Sequence, residues 1–283
     1  MLPRTPDFLI AGAAKCGTTS LHRYLSEHPR VFATRHKELN YFALDDPVVA
    51  AGWPDLPFPI RSWEEYCECF AAAGDDQLAF EASPIYFDSP MAPARIAEKL
   101  PSAKILVSLR DPRERAWSGY LMHIREGEKP VAEKDFVDPA ARYISGGFYA
   151  DKLGAYQSVF GDRLKVVFFD DIKSDIENVM RSIFDFIGIE HFVSESYARR
   201  HNVASYPRFR PLNIVLTSKL MRHRVSAFVP RPVRRLGHWM LAANSRRAPV
   251  MQPELRARLG ELYCDDIERV AAMTGRDLSG WLG

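Results

Sequence analysis

Two short apolar runs, each passing through a polar loop into a stretch with helical spacing, constrain this chain more than any other feature. Residues 7–12 (DFLIAG) form the first and residues 104–109 (KILVSL) the second. After the first, Leu21, Tyr24 and Leu25 recur at the helical period. A third run at 164–169, with Val166, Val167, Phe168 and Phe169, is apolar enough for a central parallel strand. The expected fold is α/β: three α/β/α layers around a central, mainly parallel sheet. Strands are predicted at 7–12, 78–82, 104–109 and 164–169. Helices are predicted at about 17–27, 91–100, 112–126, 148–160 and 174–187, the last closed by Gly188 as a C-cap. A final helix runs from 253 or 254 to about 273. The sequence has no internal repeat, low-complexity tract or evident linker. One domain over 1–283 is therefore expected.

The first loop, Ala14, Lys15, Cys16, Gly17, Thr18, Thr19 and Ser20, has the glycine and lysine of a phosphate-binding loop in reversed order. A Walker A loop needs Gly-Lys-Ser/Thr. Here Lys15 precedes Gly17, and three hydroxyl residues open the helix. The N–H groups of that helix start still form an anion site, so the fold is expected to contain a P-loop-like loop. Beyond the second strand, Arg110 stands at the strand end, Asp111 is a candidate N-cap, and Pro112 suits a first helical turn. Arg110 could fork onto a phosphate, and Ser118, two turns on, could add a hydroxyl. Taken alone, such a passage is more often a capped element with a surface ion pair.

Together the two passages, AAKCGTTSL and LRDPRERAWSGY, resemble the paired donor signatures of the PAPS-dependent sulfotransferases, and among them the heparan-sulfate-type and related bacterial enzymes. The resemblance implies that residues 14–20 bind the donor's 5′-phosphosulfate and that Arg110 and Ser118 bind its 3′-phosphate. Residues 36–42 (HKELNYF) are similar to the family's Lys-Glu-Pro-x-Phe-Phe stretch, which implies Glu38 as the base that takes the acceptor proton. Leu39 replaces the usual proline. Residues 80–87 (FEASPIYF) resemble Glu-Lys-Ser/Thr-Pro-x-Tyr-Phe, but Ala82 stands where the heparan-sulfate enzymes have an acceptor-holding lysine. Glu81 is either a structural partner or a second acid near the acceptor. Residues 145–150 resemble a Gly-x-Tyr-Ala helix start. Residues 201–208 resemble a late loop that closes over the donor, which implies Arg208 at the 3′-phosphate.

The chain has 38 Lys and Arg against 36 Asp and Glu, a net charge of +2. Residues 196–253, however, contain twelve arginines and lysines and no acid. This imbalance suggests an anionic partner: the donor's phosphate, an acidic glycan or lipid acceptor, or a membrane surface. The segment at about 209–252 is a candidate lid, a peripheral membrane contact, or only a basic surface. No nucleic-acid module is recognisable. Cys16, Cys67, Cys69 and Cys264 lack zinc or disulfide spacing, and no metal is expected. Cys16 is either a reactive thiol or a small residue filling the loop. No apolar stretch is long enough to span a bilayer, and Pro3, Arg4, Pro6 and Asp7 interrupt any secretory h-region. A cytoplasmic enzyme is expected.

The resemblance implies transfer of a sulfuryl group from PAPS to a hydroxyl, or less readily an amine, of a glycan, lipid or small molecule, with PAP as product. In this scheme Glu38 is the base, and Lys15 with the N–H groups of the helix start stabilises the leaving phosphate. Two alternatives stand beside it. An ATP-dependent small-molecule kinase would need a Walker lysine after the glycine, and only Asp170 and Asp171 hint at its magnesium ligand. A non-catalytic protein could instead dock on anionic surfaces through the basic segment.

Overall fold

The first apolar run forms the middle of a parallel sheet. β1 (Phe8–Gly12) is buried throughout and lies between two partners. With β2 (Val31–Ala33), β3 (Leu78–Ala82), β4 (Lys104–Leu109) and β5 (Leu164–Phe168) it makes a five-stranded sheet of order β2-β3-β1-β4-β5, every pairing parallel. The chain builds outward from β1 to one side through β3 and β2, and to the other through β4 and β5. The strand order therefore reverses between β1 and β4, and crevices that bind ligands open at the carboxyl ends of such strands. The loops that follow β1 and β4 are the two singled out from sequence.

The structure is a computed structural model and describes residues 3–132, 135–198, 205–209, 240 and 243–283. They divide into two units: Met1–Asp111, Phe148–His201 and Cys264–Trp281 in the first, and Pro112–Gly147, Asn202–Tyr263 and Leu282–Gly283 in the second. The helices in chain order are α1 (Thr18–Ser26), α2 (Pro47–Gly52), α3 (Trp63–Glu68), α4 (Ala92–Lys99), α5 (Pro112–Arg125), α6 (Arg142–Ser145), α7 (Ala150–Phe160), α8 (Phe169–Ser174), α9 (Ile176–Ile187) and α10 (Pro253–Thr274). No helix among the described residues is long and apolar enough to cross a membrane.

Strand side chains alternate between the sheet's two faces. On one face Phe8, Ile10, Phe80, Ala82, Leu106 and Val167 pack with Leu21, Tyr24 and Leu25 of α1 and Met180, Ile183 and Phe184 of α9. The rings of Phe8 and Phe80 stack 4.8 Å apart. Leu9, Ala79, Glu81, Ile105 and Val107 alternate with them and are equally buried. Burying one such apolar side chain stabilises the fold by roughly 1.5–3 kcal/mol. Continuous burial on both faces is why these runs carry no polar alternation.

The expected strands and long helices are present with small shifts at their ends. The helix expected at 174–187 is present as α9 and starts two residues later, at Ile176, while the short helix α8 before it was not expected. Asp175 leaves helical geometry and its carboxylate accepts the Asn178 N–H at 3.1 Å, so it caps α9 rather than continuing α8. The strand expected to reach 169 stops at Phe168 because Phe169 already begins α8. Gly188 closes α9 at φ 87°, as expected. The three-residue edge strand β2 and the short helices α2 and α3 were not foreseen.

The second unit contains α5, α6 and an antiparallel pair, β6 (Ser205–Pro207) with β7 (Ser245–Arg247). Arg113 and Arg115 of α5 are buried rather than displayed. Arg113 donates to Gly283 O at 2.7 Å, and Arg115 donates to Arg142 O at 3.3 Å and to Tyr143 O at 3.0 Å. These arginines hold the unit together. Most of the basic segment at 209–252 lies outside the described residues.

Candidate functional site

The loop after β1 hangs from β4 at both its ends. Ala13 N–H donates to Ser108 O at 2.9 Å, and Ser108 Oγ donates to Cys16 O at 2.5 Å. Between these anchors the chain turns with Lys15 at φ 72° and Gly17 at φ 90°, both left-handed. Gly17 is the N-cap of α1; no side chain caps this helix, and its first turn holds no acidic residue. The outward N–H groups of that turn and the helix dipole therefore favour an anion. A β-carbon at Gly17 would lie 2.7 Å from Phe169 Cδ2, so the backbone here is pressed against an aromatic floor.

Arg110 enters the same place from the end of β4. Its guanidinium lies over the Phe169 ring, 4.8 Å from the centroid, and Nη1 donates to Lys15 O at 3.4 Å. Tyr149 OH donates to Arg110 O at 2.9 Å and stands 3.6 Å from Cys16 Sγ. Its own N–H donates to Asp266 Oδ2 at 2.8 Å. Cys16 is fully buried and fills the turn. Thr18 and Ser20 are buried as well, whereas Thr19 is exposed at the helix start.

Glu38 lies beside this helix start. Lys37 Nζ donates both to Glu38 Oε1 at 2.8 Å and to Thr19 Oγ1 at 3.3 Å, tying the carboxylate to the loop. The Glu38 side chain is 47% exposed, open to an incoming partner. His22 on α1 packs on the Phe80 ring. Burial, and then the charge of Lys37, lower its pKa to about 4, which leaves the imidazole neutral near pH 7.

The remaining candidates are placed as follows. Ala14 and Lys15 are partly exposed in the turn. Ser118 and Arg208 belong to the second unit: Ser118 is partly exposed on α5, and Arg208 is exposed with its N–H donating to Asn244 O at 2.6 Å. The first unit thus gathers residues 14–20, Arg110 and Glu38. Glu81 lies underneath, fully buried, with Oε1 accepting from Tyr66 OH at 2.9 Å and Tyr86 OH at 2.7 Å, and Oε2 from Ser83 Oγ at 2.5 Å. Burial raises its pKa, against the hydrogen bonds from Ser83, Tyr86, Tyr66 and the Leu39 N–H.

Sequence reasoning passed over three participants. Phe169 was counted as a strand residue, Ser108 as strand interior, and Lys37 was given no role of its own. Phe169 was the most accessible of them: an aromatic leaving a parallel strand's carboxyl end lies where ligand crevices form.

The profile of the Sulfotransferase family matches residues 6–193. The human bifunctional heparan sulfate N-deacetylase/N-sulfotransferase 2 is 31% identical over 212 residues, which cover 68% of this chain and 23% of the human protein. The Caenorhabditis elegans bifunctional heparan sulfate N-deacetylase/N-sulfotransferase 1 is 29% identical over 213 residues, or 69% of this chain and 23% of its own length. The chain thus spans about a quarter of the curated relatives it matches. A crystal structure of a sulfotransferase from Alicyclobacillus acidocaldarius aligns with a TM-score of 0.71 and 27% identity, covering 98% of each chain.

Proposed function

Because the chain belongs to the sulfotransferase family, we propose that it moves the sulfuryl group of PAPS to an acceptor hydroxyl, leaving PAP. The observation that carries this reading is the Lys37 bridge: one ammonium joins Thr19 at the anion-binding helix start to the Glu38 carboxylate. Base and donor loop are then neighbours, as an in-line displacement requires. The loop suits a phosphosulfate, because the helix start is uncapped, its first turn holds no acid, and Lys15 lies in the turn that leads into it.

Bound there, PAPS supplies a sulfonate joined to a phosphate leaving group. Glu38 takes the acceptor's proton as its oxygen bonds to sulfur and the bond from sulfur to the bridging phosphate oxygen breaks. Lys15 and the first N–H groups of α1 stabilise the charge that grows on that phosphate. Arg110, held flat by Phe169, is assigned to the 3′-phosphate. Roles there for Ser118 and Arg208 rest on the sequence resemblance. The acceptor class to screen first is carbohydrate, since the curated relatives are named for heparan sulfate. Ala82 implies that the acceptor is not held by a lysine at that position.

Calorimetry with PAP, run beside ATP and magnesium, tests the reading. Tight metal-independent PAP binding with much weaker ATP binding is the expected result. Failure to bind PAP would remove the donor assignment, and preferential binding of ATP with magnesium would favour a kinase.

A further inference from the structure

Three consecutive N–H groups of the segment carrying Glu38 are held by three consecutive residues at the end of β3. Glu38 N–H donates to Ala82 O at 3.1 Å, Leu39 N–H to the Glu81 carboxylate, and Asn40 N–H to Ser83 Oγ at 3.0 Å. Both Glu38 (φ 67°) and Asn40 (φ 58°) are left-handed, a conformation that costs a non-glycine residue roughly 1–2 kcal/mol. Such strain persists only where the surroundings over-determine it. The residue that ties these surroundings together is Glu81. Ser83 Oγ accepts from Asn40, so its own hydrogen is left to donate to Glu81. Tyr66 and Tyr86, whose pKa values burial and then Glu81 raise well above the usual tyrosine range, stay protonated and fill the other oxygen.

We propose that Glu81 is the positioning residue for the base: acting through Leu39 and Ser83, its buried carboxylate fixes the left-handed turn that holds Glu38 beside the donor loop. This rests on the reading of Glu38 as the base. Leu39 is part of the device. The pattern it resembles has proline there, and proline carries no N–H to give to Glu81. Glu81 has no path to the acceptor, being enclosed by Tyr66, Tyr86 and Ser83. It acts through the loop rather than on the reaction.

The test compares Glu81→Gln, Glu38→Gln and the double variant in the full chain, with Ser83→Ala as a second lesion should Glu81→Gln fold poorly. Amide hydrogen exchange at Glu38, Leu39 and Asn40 is read first. It should quicken about tenfold or more in Glu81→Gln, the loss of roughly one well-made hydrogen bond. Exchange in β1 and β4 and affinity for PAP should remain as in the parent. With PAPS and fully desulfated heparin, kcat should fall on the order of 100-fold with KM nearly constant, since misplacement by about 1 Å costs that much. The double variant should be no slower than Glu38→Gln alone, because Glu81 acts only through Glu38. Unchanged exchange at the three amides in both Glu81→Gln and Ser83→Ala, or losses that multiply in the double variant, would overturn the proposal. Retained turnover in Glu38→Gln with quickened exchange in Glu81→Gln would remove the base assignment while leaving the clamp standing.

Discussion

Replacing Gly17 with alanine attacks the donor loop at its tightest point. Two costs follow from the geometry. A β-carbon at φ 90° disfavours the turn by roughly 1–2 kcal/mol. The same atom would sit 2.7 Å from Phe169 Cδ2 and 3.0 Å from Cε2, so the ring must retreat by several tenths of an ångström. Overpacking of this kind costs about 1–3 kcal/mol. The sum, about 2–5 kcal/mol, corresponds to a fall in Tm of roughly 3–8 °C in a chain of this size. The ring cannot move alone, because the Arg110 guanidinium rests on it. PAP affinity should therefore drop on the order of 100-fold, as when a charge-assisted contact worth about 1.5–3 kcal/mol is misplaced. Thermal melts and PAP calorimetry on Gly17→Ala and on Gly17→Ala/Phe169→Ala read the two costs separately. The double variant should relieve the clash but not the turn. PAP binding to Gly17→Ala with the parental Kd would refute the claim that this turn, the Phe169 floor and Arg110 form one site.

Lys15→Ala should keep the fold and slow turnover on the order of 100- to 1,000-fold, as loss of a preorganised transition-state contact does; parental kcat with PAPS would end the leaving-group role. His22 gives a pH test. Its folded pKa of about 4 lies below the usual 6.5, so the unfolded chain binds the extra proton first, and stability declines as pH falls from 6.5 towards 4. Urea unfolding of His22→Gln should show a shallower loss across that window than the parent; parallel curves would mean that His22 is not the group responsible.

The strands and the main helices were legible because burial on both faces leaves a pattern in the sequence. Residues 7–12 and 104–109 have no polar alternation, and every position from Phe8 to Gly12 is buried. Asp175 was less legible: its capping of α9 depends on local geometry, and the apolar period runs on around it. The residues of the loop after β1 could be picked out by type, but their support could not. That Ser108 closes the loop, that Phe169 underlies Arg110, and that Lys37 spans Thr19 and Glu38 are facts of proximity across 92, 59 and 18 residues. Spacing along the chain cannot reveal them. The two weighed roles for Glu81 differ in exposure, and its complete burial favours the structural one.

The suspension of the donor loop from a single strand residue has a thermodynamic corollary. A loop fastened only to itself can open while the domain stays folded, and a ligand held by it then protects little beyond the loop. Here Ser108 lies inside β4, which is hydrogen-bonded to both β1 and β5, and it holds residues 13 and 16 alike. Opening the loop therefore pulls on the central pair of the sheet, and its local unfolding is coupled to the most protected part of the unit. A nucleotide seated there should shift the melting of the whole sheet, by an amount that grows with the logarithm of its concentration above Kd. Heat stability in the presence of trial nucleotides thus becomes a readout of occupancy that requires no acceptor.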